Sequence, residues 1–167
     1  RPMKILLVQP NTRYCYNGQA NALVPVGLLY LAGALRRAGF SEVALVDARV
    51  ERLNRKELAE RMKVFAPDLV GVTGLSPDSA EMFTVARLAK EVAPGCRVVF
   101  GGPFATSSPE EALACAQVDF VVRGEGETAL CELASALARG ADASAIAGLV
   151  SRGPDGPLFG PPPAMIE

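Results

Sequence analysis

A doubly wound α/β domain built on a five-stranded parallel sheet, with helices on both faces and strand order 2-1-3-4-5, is the architecture this sequence predicts. Three observations carry that expectation. Short apolar runs without polar alternation, such as Val98-Val99-Phe100, read as strands buried on both faces. Longer stretches with helical apolar spacing lie between them, joined by short connections. Glycines and prolines stand at the junctions, most plainly Gly101-Gly102-Pro103 directly after Phe100.

Lys4 to Val8 is the first strand. The loop from Gln9 to Pro25, rich in Asn, Gly, Tyr and Gln, is long for a strand-to-helix connection, and long loops inside compact domains tend to carry function. Val26 to Ala38 is expected as a helix closed by Gly39, and Val43 to Val46 as a strand ending at Asp47. Asn54 and Glu57 have capping-box spacing for a helix running to about Phe65. Pro67-Asp68 then turns the chain into the strand Leu69 to Thr73. Ser76-Pro77 opens the third helix as N-cap and first-turn proline, with Met82, Phe83, Val85, Leu88, Ala89 and Val92 as its apolar stripe. Ser108-Pro109-Glu110-Glu111 opens a short helix to about Ala116. Val118 to Arg123 is the fifth strand, and Glu127 to Arg139 the fifth helix, closed by Gly140. Five such βα units give a three-layer, Rossmann-like or flavodoxin-like arrangement over residues 3–140.

From residue 141 to 167 the composition shifts. Leu149-Val150-Ser151 and Leu158-Phe159 flank Gly153-Pro154-Asp155-Gly156-Pro157 as a small hairpin. Gly160-Pro161-Pro162-Pro163 follows as a stiff extended spacer toward a further domain.

Composition excludes several classes. The net charge of −1 points neither to nucleic acid nor to an anionic membrane surface. No run approaches the roughly 18 uncharged apolar residues of a membrane span, and no signal peptide precedes the first strand, so the chain is expected to be cytoplasmic. Cys15, Cys96, Cys115 and Cys131 stand far apart, without the close pairs of zinc or iron–sulfur ligand sets, and read as reduced and mostly buried. Histidine is absent, which removes the commonest metal ligand and general base. Neither a catalytic side chain nor a metal-ligating set emerges.

In an open parallel sheet ligands bind beyond the carboxyl ends of the strands, so those loops hold the candidates. The Gly-x-Gly-x-x-Gly fingerprint is missing after the first strand, where Gln9-Pro10-Asn11-Thr12-Arg13-Tyr14 stands, and no Gly-Lys-Ser/Thr phosphate loop occurs. After the third strand, Thr73-Gly74-Leu75-Ser76 offers two hydroxyls beside a glycine. After the fourth, Gly101-Gly102-Pro103 leaves a notch free of side chains. After the fifth, Arg123-Gly124-Glu125-Gly126-Glu127 sets glycines just before a helix N-terminus. Each has an ordinary structural explanation: Thr73 as a strand-end threonine, Leu75 as core, Glu127 as a glutamate favoured by the helix dipole, Tyr14 and Tyr16 as loop aromatics. The functional weight lies in the set.

At these residues the sequence resembles the N-terminal cobalamin (B12)-binding domain of cobalamin-dependent radical SAM enzymes. The most specific stretch is Val118-Asp119-Phe120-Val121-Val122-Arg123-Gly124-Glu125-Gly126-Glu127, together with Pro67-Asp68-Leu69-Val70-Gly71-Val72 and Gly101-Gly102-Pro103. Thr73-Gly74-Leu75 stands where cobalamin domains carry Ser-x-Leu, while their Asp-x-His-x-x-Gly motif is missing. The resemblance covers essentially the whole chain. It implies a non-catalytic module that binds cobalamin base-off, with Asn11, Thr12, Arg13, Tyr14, Thr73, Gly74, Leu75, Ser76, Gly101, Gly102, Pro103, Gly124, Glu125, Gly126 and Glu127 around the cofactor. The Thr73 hydroxyl would bond the benzimidazole nitrogen, Leu75 would crowd the base's way back to cobalt, and Gly101 and Gly102 would let the flat tail pass. Glu125 and Glu127 argue against a phosphate beside them. Asn11, Arg13, Tyr14 and Tyr16 are the candidates for the lower face of cobalt, with Asn11 and Tyr14 ahead because a neutral oxygen brings no cation to the metal.

The resemblance further implies a parent methyltransferase, or a related enzyme that cyclises or rearranges its substrate, that also uses a [4Fe-4S] cluster and S-adenosylmethionine. Its cluster motif, Cys-x-x-x-Cys-x-x-Cys, is not in this chain and is expected in a radical SAM domain following the proline spacer. Two alternatives share the fold. A flavodoxin-like electron carrier would want a Ser/Thr-rich phosphate loop after the first strand. A receiver-type signalling domain would want acidic residues where Gln9 and Thr73 stand.

Overall fold

Ile5, Leu6, Leu7 and Val8 are all buried, so this segment has no solvent face and must run through the middle of a sheet. In the computed structural model, which describes residues 1–12 and 24–163, it is β1 (Lys4–Gln9). Parallel neighbours flank it, β2 (Glu42–Asp47) on one side and β3 (Leu69–Thr73) on the other. β4 (Arg97–Gly101) and β5 (Phe120–Val122) continue the parallel ladder. The order 2-1-3-4-5 read from the sequence is therefore present, but the sheet has seven strands rather than five. β6 (Leu149–Gly153) and β7 (Gly156–Phe159) form an antiparallel hairpin that joins the edge of β5. Leu149 and Val150 are buried there, which is why the hairpin lies on the sheet.

Alternation sorts the strand side chains onto two faces. Leu6, Val8, Val70, Val72, Val98 and Phe100 share a core with α2 (Arg55–Phe65) and α3 (Ser79–Val92). Ile5, Leu7, Leu69, Val99 and Val122 face α1 (Val26–Arg37) and α6 (Glu127–Arg139). The capping box at the start of α2 is present as read: Asn54 accepts from Glu57 N, and Glu57 accepts from Asn54 N.

Three boundaries differ from expectation. Ser76–Asp78 is a separate 3₁₀ turn, and α3 begins only at Ser79, because Asp78 folds back to accept from Leu75 N at 2.8 Å. Gly102–Ser107 is a short helix, α4, ahead of α5 (Pro109–Ala114). Gly-Gly-Pro reads as a break, yet proline suits a first helical turn, where its missing N–H would have had no partner. The fifth strand starts at Phe120 instead of Val118. Val118 N closes a turn on Cys115 O, and the Asp119 carboxylate takes the Val98 N–H at 2.8 Å.

That carboxylate also accepts from Lys90 Nζ at 2.7 Å and Arg97 Nη1 at 3.1 Å, on a largely buried side chain. Asp119→Ala strands the Val98 N–H and frees two cations, so a loss of about 2–3 kcal/mol is expected in denaturant unfolding. A loss under about 0.5 kcal/mol would show that the three contacts add nothing net.

Of the three described cysteines, all unpaired, Cys96 is buried, and burial pushes its thiol upward; burial also raises Cys131. Neither is poised as a thiolate. No helix among the described residues is long and apolar enough to cross a membrane.

Candidate cofactor-binding cavity

Two glycines share one face of the sheet at the site, and they act differently. Register sets Gly71 of β3 beside Val99 of β4, and Thr73 beside Gly101. On the face turned to α1 and α6, β3 thus offers Leu69, Gly71 and Thr73, and β4 offers Val99 and Gly101. Leu7 Cδ2 takes the space over Gly71, where a Cβ would stand 2.9 Å from it, but the space over Gly101 is left open. A cavity of about 170 Å³ remains at the carboxyl end of the strands. Its walls are Leu7, Val99 and Val122 from the sheet, Leu28 and Leu31 from α1, and Leu130 from α6. Thr73, Glu125 and Glu127 supply the polar side chains of the described lining.

The adjacent glycines of the fourth strand do different work. Gly101 is extended at φ −141°, and a Cβ built on it has no heavy atom within 4 Å. That direction is open cavity, so any side chain there would occupy ligand space. Gly102 has φ +85°, and a Cβ on it would run into Thr73 Oγ1 and stand 3.3 Å from Gly74 N. This second glycine serves the chain's own backbone, where α4 leaves the strand.

The loop after β5 closes the other side. Gly124, at φ +71°, donates its N–H to Thr106 Oγ1 at 3.0 Å. A Cβ at Gly126 would sit 3.3 Å from Leu31 Cδ2, so the missing side chain lets the start of α6 approach α1. Pro163 lies against both Gly124 and Gly148, and Gly148 N donates to Pro161 O at 2.8 Å. The proline segment thus runs along the cavity's β5 wall.

Of the residues singled out from sequence, Thr73, Gly101, Gly102, Gly124, Glu125, Gly126 and Glu127 line this one cavity. Gly74 instead packs on α3, where its Cβ would stand 2.8 Å from Met82 Sδ. Leu75 is 48% exposed outside the described lining, and Ser76 is exposed beside it. Pro103 shapes the first turn of α4. Asn11 Nδ2 donates to Leu53 O at 2.9 Å, and Thr12 is buried; neither belongs to the described lining. Arg13, Tyr14, Tyr16 and Cys15 lie outside the described residues. Sequence reading missed Gly71 as a site residue, along with the apolar walls. An isolated glycine inside a strand was the signal available for it.

A flat, largely apolar group fits such a cradle, and a side chain at Gly101 would intrude on it. The comparisons agree with that chemistry. The B12 binding domain family model matches residues 20–134. An uncharacterized methyltransferase, PH0819, of Pyrococcus horikoshii is 38% identical over 149 residues, covering 88% of this chain and 32% of that protein. The anaerobic magnesium-protoporphyrin IX monomethyl ester cyclase of Rubrivivax gelatinosus is 32% identical over 164 residues, 96% of this chain and 30% of the enzyme. The structure of the radical S-adenosylmethionine methyltransferase TsrM from Kitasatospora setae, with cobalamin and a [4Fe-4S] cluster bound, superposes with a TM-score of 0.84 at 28% identity. That match covers 100% of this chain and 30% of TsrM. The chain spans about a third of the length of these relatives. Since the family match runs from before α1 well into α6 and takes in both helices that wall the cavity, this chain belongs to the B12-binding domain family.

Proposed function

We propose that this chain is the cobalamin-holding module of a larger radical SAM enzyme, and that it holds the cofactor base-off, with the dimethylbenzimidazole tail in the cavity between the sheet and α1/α6. The observation that carries this reading is the hollow over Gly101, open at the carboxyl end of a parallel sheet and walled by apolar side chains. When bound, cobalamin supplies a cobalt centre suited to methyl transfer. The chain's own residues bind and orient. Leu7, Leu28, Leu31 and Leu130 exclude water from the flat tail, and Thr73 offers one hydroxyl to its freed nitrogen. Glu125 and Glu127 direct the tail's phosphate away from their side of the opening by like-charge repulsion. A covalently linked radical SAM domain, with its cluster and S-adenosylmethionine, would make up the remainder of the enzyme. Methyl transfer is its proposed reaction, as in the names of PH0819 and TsrM; ring closure, as in the cyclase, is the second.

Mixing the protein with hydroxocobalamin and removing free cofactor by gel filtration tests the module. A coloured protein fraction with a base-off absorption spectrum is expected, and a colourless fraction overturns the proposal. The cobalt(II) form addresses the lower face of the metal. With no histidine in the chain and the base in the cavity, its electron paramagnetic resonance spectrum in amine-free buffer should show no nitrogen superhyperfine splitting. A persistent splitting would mean that base or backbone nitrogen coordinates after all. Thr73→Ala should weaken uptake about five- to tenfold, the loss of one hydrogen bond, with Thr73→Ser near wild type. Equal affinity in all three proteins would separate Thr73 from the base.

A further inference from the structure

The cavity's lining carries a second piece of information, about which corrinoid it accepts. Natural corrinoids share the ring and cobalt but differ in the lower base, which in some is a benzimidazole and in others a purine such as adenine. Both are flat bicycles of similar size, so shape alone separates them weakly. Their edges differ. The far ring of dimethylbenzimidazole ends in two methyl groups, whereas that of adenine carries ring nitrogens and an exocyclic amine. All of these want hydrogen-bond partners.

The structure sorts its polar and apolar groups unevenly. Thr73, at the end of β3, and Glu125 and Glu127, in and after the β5 loop, are the polar side chains of the described lining, and all stand at the carboxyl end of the strands. The other described side chains are all apolar: Val122 ends β5, Leu28, Leu31 and Leu130 come from the helices, and Leu7 and Val99 lie two residues deeper in the sheet than Thr73. Backbone gives little relief there. β3 is paired on both sides through Gly71 and Val72, and β4 pairs β3 and β5 through Val99 and Phe100, so the strand amides and carbonyls at this level are engaged in the ladder.

We infer that this cavity selects the lower base, accepting dimethylbenzimidazole and rejecting purine-type corrinoids. The inference rests on the reading that the base enters the cavity. With one ring nitrogen held at Thr73, the other ring lies among leucine and valine side chains. Methyl groups gain from that surface. A purine's amine and ring nitrogens would leave water and meet no partner, the arrangement in which a polar group costs most. One such group corresponds to a loss of affinity of about tenfold or more.

The test compares three aquo-corrinoids by quenching of intrinsic tyrosine fluorescence and by gel filtration: cobalamin, the adenine-bearing analogue, and cobinamide, which has no base. Expected is tightest binding of cobalamin, at least tenfold weaker binding of the adenine form, and weak binding of cobinamide. Val99→Thr, which sets a hydroxyl among the apolar walls at nearly constant volume, should narrow the gap by favouring the adenine form; its thermal midpoint should fall by several degrees, and a far-ultraviolet circular dichroism spectrum like that of wild type at the assay temperature is the control for folding. If the adenine form binds as tightly as cobalamin while cobinamide binds poorly, the base does enter the cavity but the lining does not select it, and the inference falls alone. If cobinamide binds as tightly as cobalamin, the base contributes nothing, and the location of the tail falls with it.

Discussion

Replacing Gly101 with valine is expected to give a folded protein that takes up no cobalamin. The residue sits at φ −141° at the end of β4, a conformation natural to a β-branched residue. Its Cβ would meet no heavy atom within 4 Å, so the fold has nothing to push against. The same emptiness places the branched side chain inside the cavity, directly above the strand. A ligand in van der Waals contact with that backbone would have to move by roughly the width of a methyl group or more, in a slot whose other walls are packed leucines. Loss of at least about 100-fold in affinity, with far-ultraviolet circular dichroism and thermal midpoint close to wild type, is the expected result. Undiminished uptake by a folded Gly101→Val protein would move the tail elsewhere. Gly101→Ala should fall between, since one methyl takes part of the space.

The same substitution one residue later is expected to act on the fold. Gly102 holds φ +85°, where any Cβ is strained by roughly 1–2 kcal/mol. Its Cβ would also collide with Thr73 Oγ1 and crowd the backbone of Gly74, overpacking that adds roughly 1–3 kcal/mol. Gly102→Val should lower the thermal midpoint by about 10 °C, given roughly 2–4 °C per kcal/mol for a domain of this size. A diagnostic pair separates the two causes. Gly102→Ala with Thr73→Ala removes the hydroxyl from the collision and leaves the backbone strain and the crowding at Gly74, so the double variant should be more stable than Gly102→Ala alone. If Thr73→Ala brings no recovery, the collision is not the source of the loss.

These neighbouring glycines mark where sequence stopped informing. The parallel order of the first five strands was legible because Ile5 to Val8 and Val98 to Phe100 are apolar on both faces, a pattern only a doubly covered sheet satisfies. Gly-Gly at a strand end announced a close approach, but not by what. Which glycine faces the cavity depends on register, Thr73 beside Gly101, and register is a tertiary property. Leu75 illustrates the converse. Its apolar side chain alone reads as core, yet Asp78 pulls the loop into a 3₁₀ turn that leaves Leu75 48% exposed. Gly71 went unassigned because nothing local tells that a strand glycine, here making room for Leu7, also borders a cavity. Asn11 shows a further limit, since its hydrogen bond to Leu53 O comes from a segment 42 residues away in sequence.

The path of the proline segment bears on assembly. Pro161 accepts from Gly148 N, and Pro163 rests against Gly124, a residue of the cavity wall. Polypeptide continuing from there starts beside the cavity, on a stem whose prolines resist collapse. A domain joined at this point would meet the bound cofactor as an intramolecular partner, at an effective concentration fixed by tether length and stiffness, in the millimolar range for a short linker. In the larger enzyme proposed above, cofactor and reaction chamber would then find each other without a tight interface between them.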